Sequence, residues 1–523
     1  MAVRSSRSPA RTDGQRPLTG IPVEIYMLIV DELLEDADMP LVERKSILSN
    51  MNLVCRLFSA LVAPKLFSLV SFRGAHVGAS ESGKRRRDSW LKQLAQGEET
   101  ACLLGTFVRH VEYVDWMPQG TPAQRDRVIP DLGRHVHILP RFSNLKKLHL
   151  DHTPISSDLF GAITSLTRLE TLTIEHCSYH TLRTKKALPE ASLPLLVELN
   201  VSMVEDDFAA YVPALASLAT TPTLQSLKTT EWPLARAIME ASTDVPLKHF
   251  ETTYMPSDVH ILFAFLCRTP TLTSLCLTTP LDAPDDDLRS SSSHSALPDT
   301  SLPRLRELRC PLSLLAPLFR PSVSRLNLVD TSDWFRLNST SSSRLLEPLE
   351  QCALKELDVP MWAWRRFPLQ RYTPKLAKLA VCFPLLPMIP LETMIGAFCN
   401  CGPKLSLQTL ELRFADSVYA TWKLNLRMQH NMVVAYLARR FPTASCFTLA
   451  DAIEWHRVAN ANGSAWQPVV RERECVKELL QCKDSAVWEF MEVADHDGAL
   501  AALFTEGEMT AAIAKRLSRG GAH

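Results

Sequence analysis

Apolar residues in the first seventy positions recur at helical spacing. Ile25, Ile29 and Leu33 fall at i, i+4 and i+8 with Leu28 beside them, while Glu32, Glu35 and Asp36 occupy other positions, a pattern that predicts an amphipathic helix. Thr19-Gly20-Ile21-Pro22-Val23-Glu24 supplies its start: Thr or Gly near the cap, Pro in the first turn, and Glu at the positive end. After a break at Asp38-Met39-Pro40, Leu53, Leu57 and Leu61 with Val54 and Phe58 predict a second helix from about Ser46 to Val62, ended by Pro64. Leu66 to Phe72 is rich in aromatic and β-branched residues and reads as a short strand. Residues 73–104, with Gly78, Gly83 and the run Lys84-Arg85-Arg86-Arg87, read as a linker with one helix around Trp90–Leu94.

A different pattern then takes over. Leu-x-x-Leu-x-Leu returns at Leu145-Leu148-Leu150, Leu169-Leu172-Ile174, Leu196-Leu199-Val201, Leu224-Leu227 and Leu272-Leu275-Leu277. It continues at Leu305-Leu308, Val323-Leu326-Leu328, Leu354-Leu357-Val359, Leu376-Leu379-Val381 and Leu407-Leu410-Leu412, with Leu247-Phe250 as a weaker copy. Val108-x-x-Val111 and Ala444-x-x-Phe447-x-Leu449 are candidate outermost copies. The copies stand roughly 18–33 residues apart. Such a motif places a short strand with its leucines inward, and because one unit cannot bury that face, units must stack into a parallel sheet. Ser157–Leu166, Phe208–Leu218 and Val259–Leu266 are periodic enough to be return helices. Two polar stretches, 281–301 and Asn338–Ser343, read as solvated inserts, and 451–523 carries no copy and reads as a helical cap.

By the two-residue strand period, the residues between the buried leucines face outward: His149, Thr173, Asn200, Lys228, Glu251, Arg309, Asn327, Asp358 and Glu411. Their mixed polarity fits a protein partner rather than nucleic acid. Net charge supports this, since 57 basic residues balance 57 acidic ones and no whole-protein field exists to hold nucleic acid or anionic lipid. Residues 1–17 read as a disordered tail without a signal-peptide core. No run reaches the ~18 apolar residues of a spanning helix, so the expectation is a soluble cytoplasmic or nuclear chain with no membrane partner. The 13 cysteines, without regular spacing, are expected to stay reduced.

Candidate chemistry is sparse. Gly78-x-x-x-x-Gly83-Lys84 begins like a phosphate-binding loop, but Arg85 stands where Ser or Thr should meet magnesium. His176-Cys177 with His180, Cys399-x-Cys401 and His135-x-His137 lack the second pair that a structural zinc site needs. No nucleophile elbow, metalloprotease helix or dinucleotide fingerprint is present. The expectation is therefore no catalytic residue, no metal and no cofactor.

The ordered combination Ile21-Pro22-x-Glu24-Ile25, then Ile29 and Leu33, then Leu53-Val54-Cys55-Arg56-x-Phe58 with Leu61 and Pro64-x-Leu66-Phe67, resembles the F-box. Residues 18–72 would be this domain. With the leucine motif over 105–450, the chain resembles the large fungal group of F-box proteins that carry degenerate leucine-rich repeats. The resemblance implies an α/β fold, a helical F-box followed by an irregular solenoid with a curved parallel sheet. It implies docking on a Skp-type adaptor, and through it on cullin and RING subunits, by Ile21, Pro22, Ile25, Ile29, Leu53, Val54 and Phe58. The repeats would then hold an unidentified protein substrate for ubiquitination. The alternative is a leucine-rich-repeat scaffold that engages no ligase. The chain departs from the family at Ile21, where Leu is usual, and at the longer acidic gap Leu34–Lys45. It departs again at the ninth repeat position, where Thr153, Val204, Trp232 and Pro280 replace Asn or Cys and only Cys177 conforms.

Overall fold

Each leucine copy forms one short strand, because alternate side chains point to opposite faces and only the leucine face is apolar. The computed structural model describes residues 22–35, 41–74, 81–117, 132–179, 193–203, 211–241, 245–279, 297–298, 300–329, 349, 354–366, 369–383, 391–400, 405–414, 426–449, 453–460 and 463–470. The chain is α/β and divides into two units, Met1–Leu272 with Pro280–His294, and Thr273–Thr279 with Ser295–His523. Among the described residues no helix is long and apolar enough to cross a membrane.

In the first unit β1 (Leu69–Arg73), β2 (His110–Val114), β3 (Lys147–Asp151), β5 (Thr171–Tyr179), β6 (Glu198–Met203), β7 (Ser226–Thr229) and β8 (His249–Thr253) pair in parallel in that order; the two-residue β4 (Pro154–Ile155) joins β5. The register aligns Val111, Leu148, Leu172, Leu199, Leu227 and Phe250 in one fully buried row. In the second unit β9 (Ser274–Thr278), β10 (Glu307–Cys310), β11 (Arg325–Leu328), β12 (Glu356–Pro360), β13 (Lys378–Phe383), β14 (Thr409–Phe414) and β15 (Cys446–Leu449) are likewise parallel. Leu275, Leu308, Leu326, Leu357, Leu379, Leu410 and Phe447 make the equivalent row. Burying each such side chain is worth about 1.5–3 kcal/mol, so the motif is the main source of cohesion. Of the two proposed outermost copies, one forms β2 in the first unit and the other β15 in the second.

Return helices cover the leucine side at Ser157–Thr164, Val212–Ala219 and Val259–Cys267, close to the ranges read from periodicity; residues 204–210 lie outside the described ones. The first is capped by Ser156, whose Oγ accepts from the Leu159 N–H at 3.2 Å. The ninth position also does more than expected. Thr153 donates its hydroxyl to the carbonyls of Tyr113 and Asp151 at 3.1 and 3.0 Å, and the Cys177 thiol reaches Leu150 O at 3.4 Å. Both tie one copy to the strand before it, so Thr serves where Asn or Cys was required.

Several expectations are corrected. The second N-terminal helix is two: α2 (Leu41–Asn52) and α3 (Arg56–Leu66) follow α1 (Val23–Glu35), with a turn at Leu53-Val54 closed by the Val54 N–H on Met51 O at 3.1 Å. Pro64 lies inside α3 near its end, where little helix remains to be disrupted. The 73–104 linker is instead α4 (Glu81–Gln96) and the start of α5 (Glu99–Phe107). Trp90 packs 6.0 Å from both Phe67 and Phe142, and Leu94 is fully buried, so apolar anchors outweigh the basic run. The 451–523 region opens not with helix but with an antiparallel hairpin, β16 (Ile453–Asn460) and β17 (Gly463–Val470), paired onto β15; residues 471–523 lie outside the described ones. Trp455 donates to Gln429 at 3.0 Å and Trp466 packs with its ring tilted 4.7 Å from Phe447, anchoring that hairpin.

The 281–301 insert is not wholly solvated. Its end is held by the buried Arg320, which donates to the carbonyls of Ser301 at 2.9 Å and Pro298 at 3.2 Å, and to Phe319 O at 2.7 Å. Residues 281–296 and the Asn338–Ser343 stretch lie outside the described ones.

Candidate functional site

The N-terminal helices build an apolar surface. Val30, Leu48 and Val62 form a small core with Met51 and Leu66 packed on it, and Tyr26 is buried with its ring edge-on to Phe58 at 5.4 Å. The Lys65 ammonium donates to the Asp31 carboxylate, tying α3 to α1. Since Tyr26 and Val30 are one helical turn apart, they fix the inward stripe. Ile25 and Ile29, the next residue back in each turn, are thereby turned outward.

Ile25, Ile29 and Leu28, read from the sequence as one apolar helix face, therefore lie on the outer side of α1. Ile25 is 43% exposed, Ile29 46% and Leu28 62%, and at the turn Leu53 reaches 80% and Val54 64%. Pro22 is exposed and Phe58 half-buried; Ile21 and the side chain of Leu33 lie outside the described residues. Four of the seven adaptor-docking candidates are thus large apolar groups in solvent on one small helical unit.

The outward strand residues fall into true register rows. In the first unit Glu112, His149, Thr173, Asn200, Lys228 and Glu251 are aligned across β2 to β8. In the second, Arg309, Asn327, Asp358, Ala380, Glu411 and Thr448 are aligned across β10 to β15. Most are half-buried or exposed; Glu411 keeps its place in the outward row but is buried.

Neighbours in these rows partner one another. Lys228 Nζ lies 3.3 Å from Glu251, Asn200 donates to Glu175 at 2.8 Å, and His149 sits 3.2 Å from the same Glu175 carboxylate. Asn327 donates to Asp358 at 3.0 Å. Ala380 leaves a gap in the second row that Arg413 bridges, donating to Asp358 on one side and to Glu411 at 2.5 Å on the other; Lys378 adds a 2.9 Å contact to Glu411. Burial pushes the Asp358 carboxyl above its usual value despite Arg413. Burial acts on Glu411 the same way, but hydrogen bonds from Lys378 and Arg413 outweigh it and hold its carboxyl below the usual range. The arrangement offers directional polar contacts, and no chemistry follows from it.

The rejected motifs resolve individually. Gly83 and Lys84 lie within α4 rather than in a loop, and residues 75–80 are outside the described ones. His135 is buried among Phe72, Tyr113 and Trp116, with ring distances of 5.0 Å to the first and last. Cys177 and Cys399 are buried, and burial pushes both thiols up to about 12. His176 instead meets Asp151 and His152, a grouping that spacing within one copy could not reveal.

No protein-family model matches the chain, and no curated protein sequence does. Over 66% of its length the chain is similar to a solved structure described as the crystal structure of a TLR13–ssRNA13 complex, with 13% identity and a TM-score of 0.29. It covers 43% of that chain, less than half, and a likeness of this size carries no argument.

Proposed function

We propose that the chain is the substrate-recognition subunit of a Skp–cullin–F-box ubiquitin ligase. In this reading the N-terminal helices are an F-box that docks a Skp-type adaptor, and the strand array is a leucine-rich-repeat domain that holds a protein substrate. Lysine modification is left to the other subunits, and the chain supplies no catalytic group.

The observation that carries the reading is the outward placement of Ile25, Leu28, Ile29, Leu53 and Val54 on one helical unit. Large apolar groups clustered in solvent mark an interaction surface. Interfaces of this kind draw their affinity from a few apolar anchors, and replacing one commonly costs on the order of 2 kcal/mol. The polar rows would act differently, selecting a substrate by hydrogen bonds and charge pairing.

The test is binding of the purified full chain to a purified Skp-type adaptor, beside an Ile25→Asp, Ile29→Asp variant. The expected result is binding that weakens about hundredfold or more in the variant, as two lost anchors imply. Absence of binding by the unaltered chain would replace this reading with a scaffold that engages no ligase.

A further inference from the structure

The end of β3 and the middle of β5, where the register breaks between Glu175 and Cys177, bring together a set of side chains that neither the docking surface nor the leucine motif requires. Asp151 and Glu175 are in register, and the residues that follow them, His152 and His176, take the same left-handed conformation at φ 45° and 49°. Asp115, after β2, repeats it at φ 59°. The ladder continues through this turn, since the Asp115 N–H bonds Asp151 O and the His152 N–H bonds Glu175 O, each at 3.1 Å. His152 and His176 therefore occupy equivalent places in adjacent copies, and their rings stack at 4.8 Å with an interplanar angle of 28°.

Both rings turn the same nitrogen to the same atom. His152 Nδ1 lies 2.8 Å and His176 Nδ1 3.1 Å from Asp151 Oδ1, and one ligand atom from each residue can be chosen with all three within 4.8 Å of one another. From these positions we propose that Asp151, His152 and His176 form a binding site for a divalent transition-metal ion of the zinc class. Two imidazole nitrogens and one carboxylate oxygen suit such an ion better than the all-oxygen shells of calcium or magnesium. Tetrahedral ligands at ~2.0–2.1 Å from zinc stand about 3.3 Å apart, close to the 2.8 and 3.1 Å that separate Asp151 Oδ1 from the two Nδ1 atoms. Glu175 adds a second negative charge alongside, braced by His149 and Asn200.

Binding breaks no carbon or heteroatom bond but shifts a proton on each ring: the Nδ1–H that faces Asp151 Oδ1 is exchanged through solvent for Nε2–H, which frees the Nδ1 lone pair for the ion. Water completes the shell, since His152 and His176 are 47% and 53% exposed. The site is independent of the ligase reading and stands or falls without it.

The experiment is equilibrium dialysis of the chelator-treated, reduced full chain against Zn2+, with bound metal counted by mass spectrometry. A His152→Asn, His176→Asn variant keeps residues that tolerate the left-handed backbone. The expected result is loss of one equivalent of Zn2+ in that variant, while His456→Gln, at the separate Cys446–Glu454–His456 group, retains that equivalent. Zinc retained equally by the double variant, or none bound by the wild type, would overturn the proposal. If the double variant fails to fold, Co2+ added to the wild type with its thiols blocked decides. A visible spectrum of nitrogen and oxygen ligation that Asp151→Asn abolishes supports the site, and its absence or persistence in that variant refutes it.

Discussion

The helical head and the outward strand face treat solvent in opposite ways. The head leaves Ile25, Leu28, Ile29, Leu53 and Val54 in water around a core of only a few side chains, whereas the strand rows present groups already paired with one another. An unpartnered apolar surface gains from any complementary apolar partner, so the head suits one constant association. A paired polar surface gains only from a partner that replaces the contacts it displaces, so the rows suit discrimination among partners. A constant apolar contact on the helices and selective polar contacts on the strand rows are what the proposed recognition subunit requires.

The comparison breaks most sharply at the head. Leu53→Asp with Val54→Asp is expected to abolish adaptor binding while leaving the melting temperature within about 2 °C of wild type. Val30→Asp, aimed inward, should unfold the head and lower its protection from hydrogen exchange. In the strand array, Arg320→Ala strips partners from several buried carbonyls, and a loss of about 3–5 kcal/mol in chemical denaturation is expected. Leu379→Ala opens a cavity in the inward row and should cost about 2–5 kcal/mol in the same measurement.

Smaller effects test the polar rows. Glu411 is held below its ordinary value in the folded chain, so its contribution is complete above the unfolded value of about 4.3 and is lost as pH falls through the lower folded value. Denaturation midpoints of wild type and Glu411→Gln measured from about pH 6 to pH 3 should therefore converge as the pH falls. Arg325→Ala removes exposed pairs with Glu307 and Glu356 and should change stability by less than about 0.5 kcal/mol.

How much was legible in the sequence follows from the same contrast. The inward rows were, because the leucine motif has the strand period and each copy repeats it; the outward rows came with them by alternation. Thr173 and Asn200, read from separate copies, do stand opposite each other. The orientation of α1 was not legible, since Tyr26 and Val30 compete with Ile25 and Ile29 for the core, and α3 decides between the stripes through Phe58 and Val62. The helices α4 and α5 were hidden because their burial rests on Trp90 and Leu94 meeting Phe67 and Phe142 from distant positions. The hairpin at 453–470 was missed for lack of a leucine copy. The Asp151–His152–His176 group could have been found only by aligning adjacent copies, which puts each histidine one place after the paired residues Asp151 and Glu175.

The most direct test is hydrogen exchange of the full chain with and without saturating Skp-type adaptor. Protection that rises at residues 22–35 and 50–58 and leaves the strand rows unchanged is the predicted result. No association, or protection confined to β2 through β15, would contradict the assignment of the exposed apolar head as the docking surface.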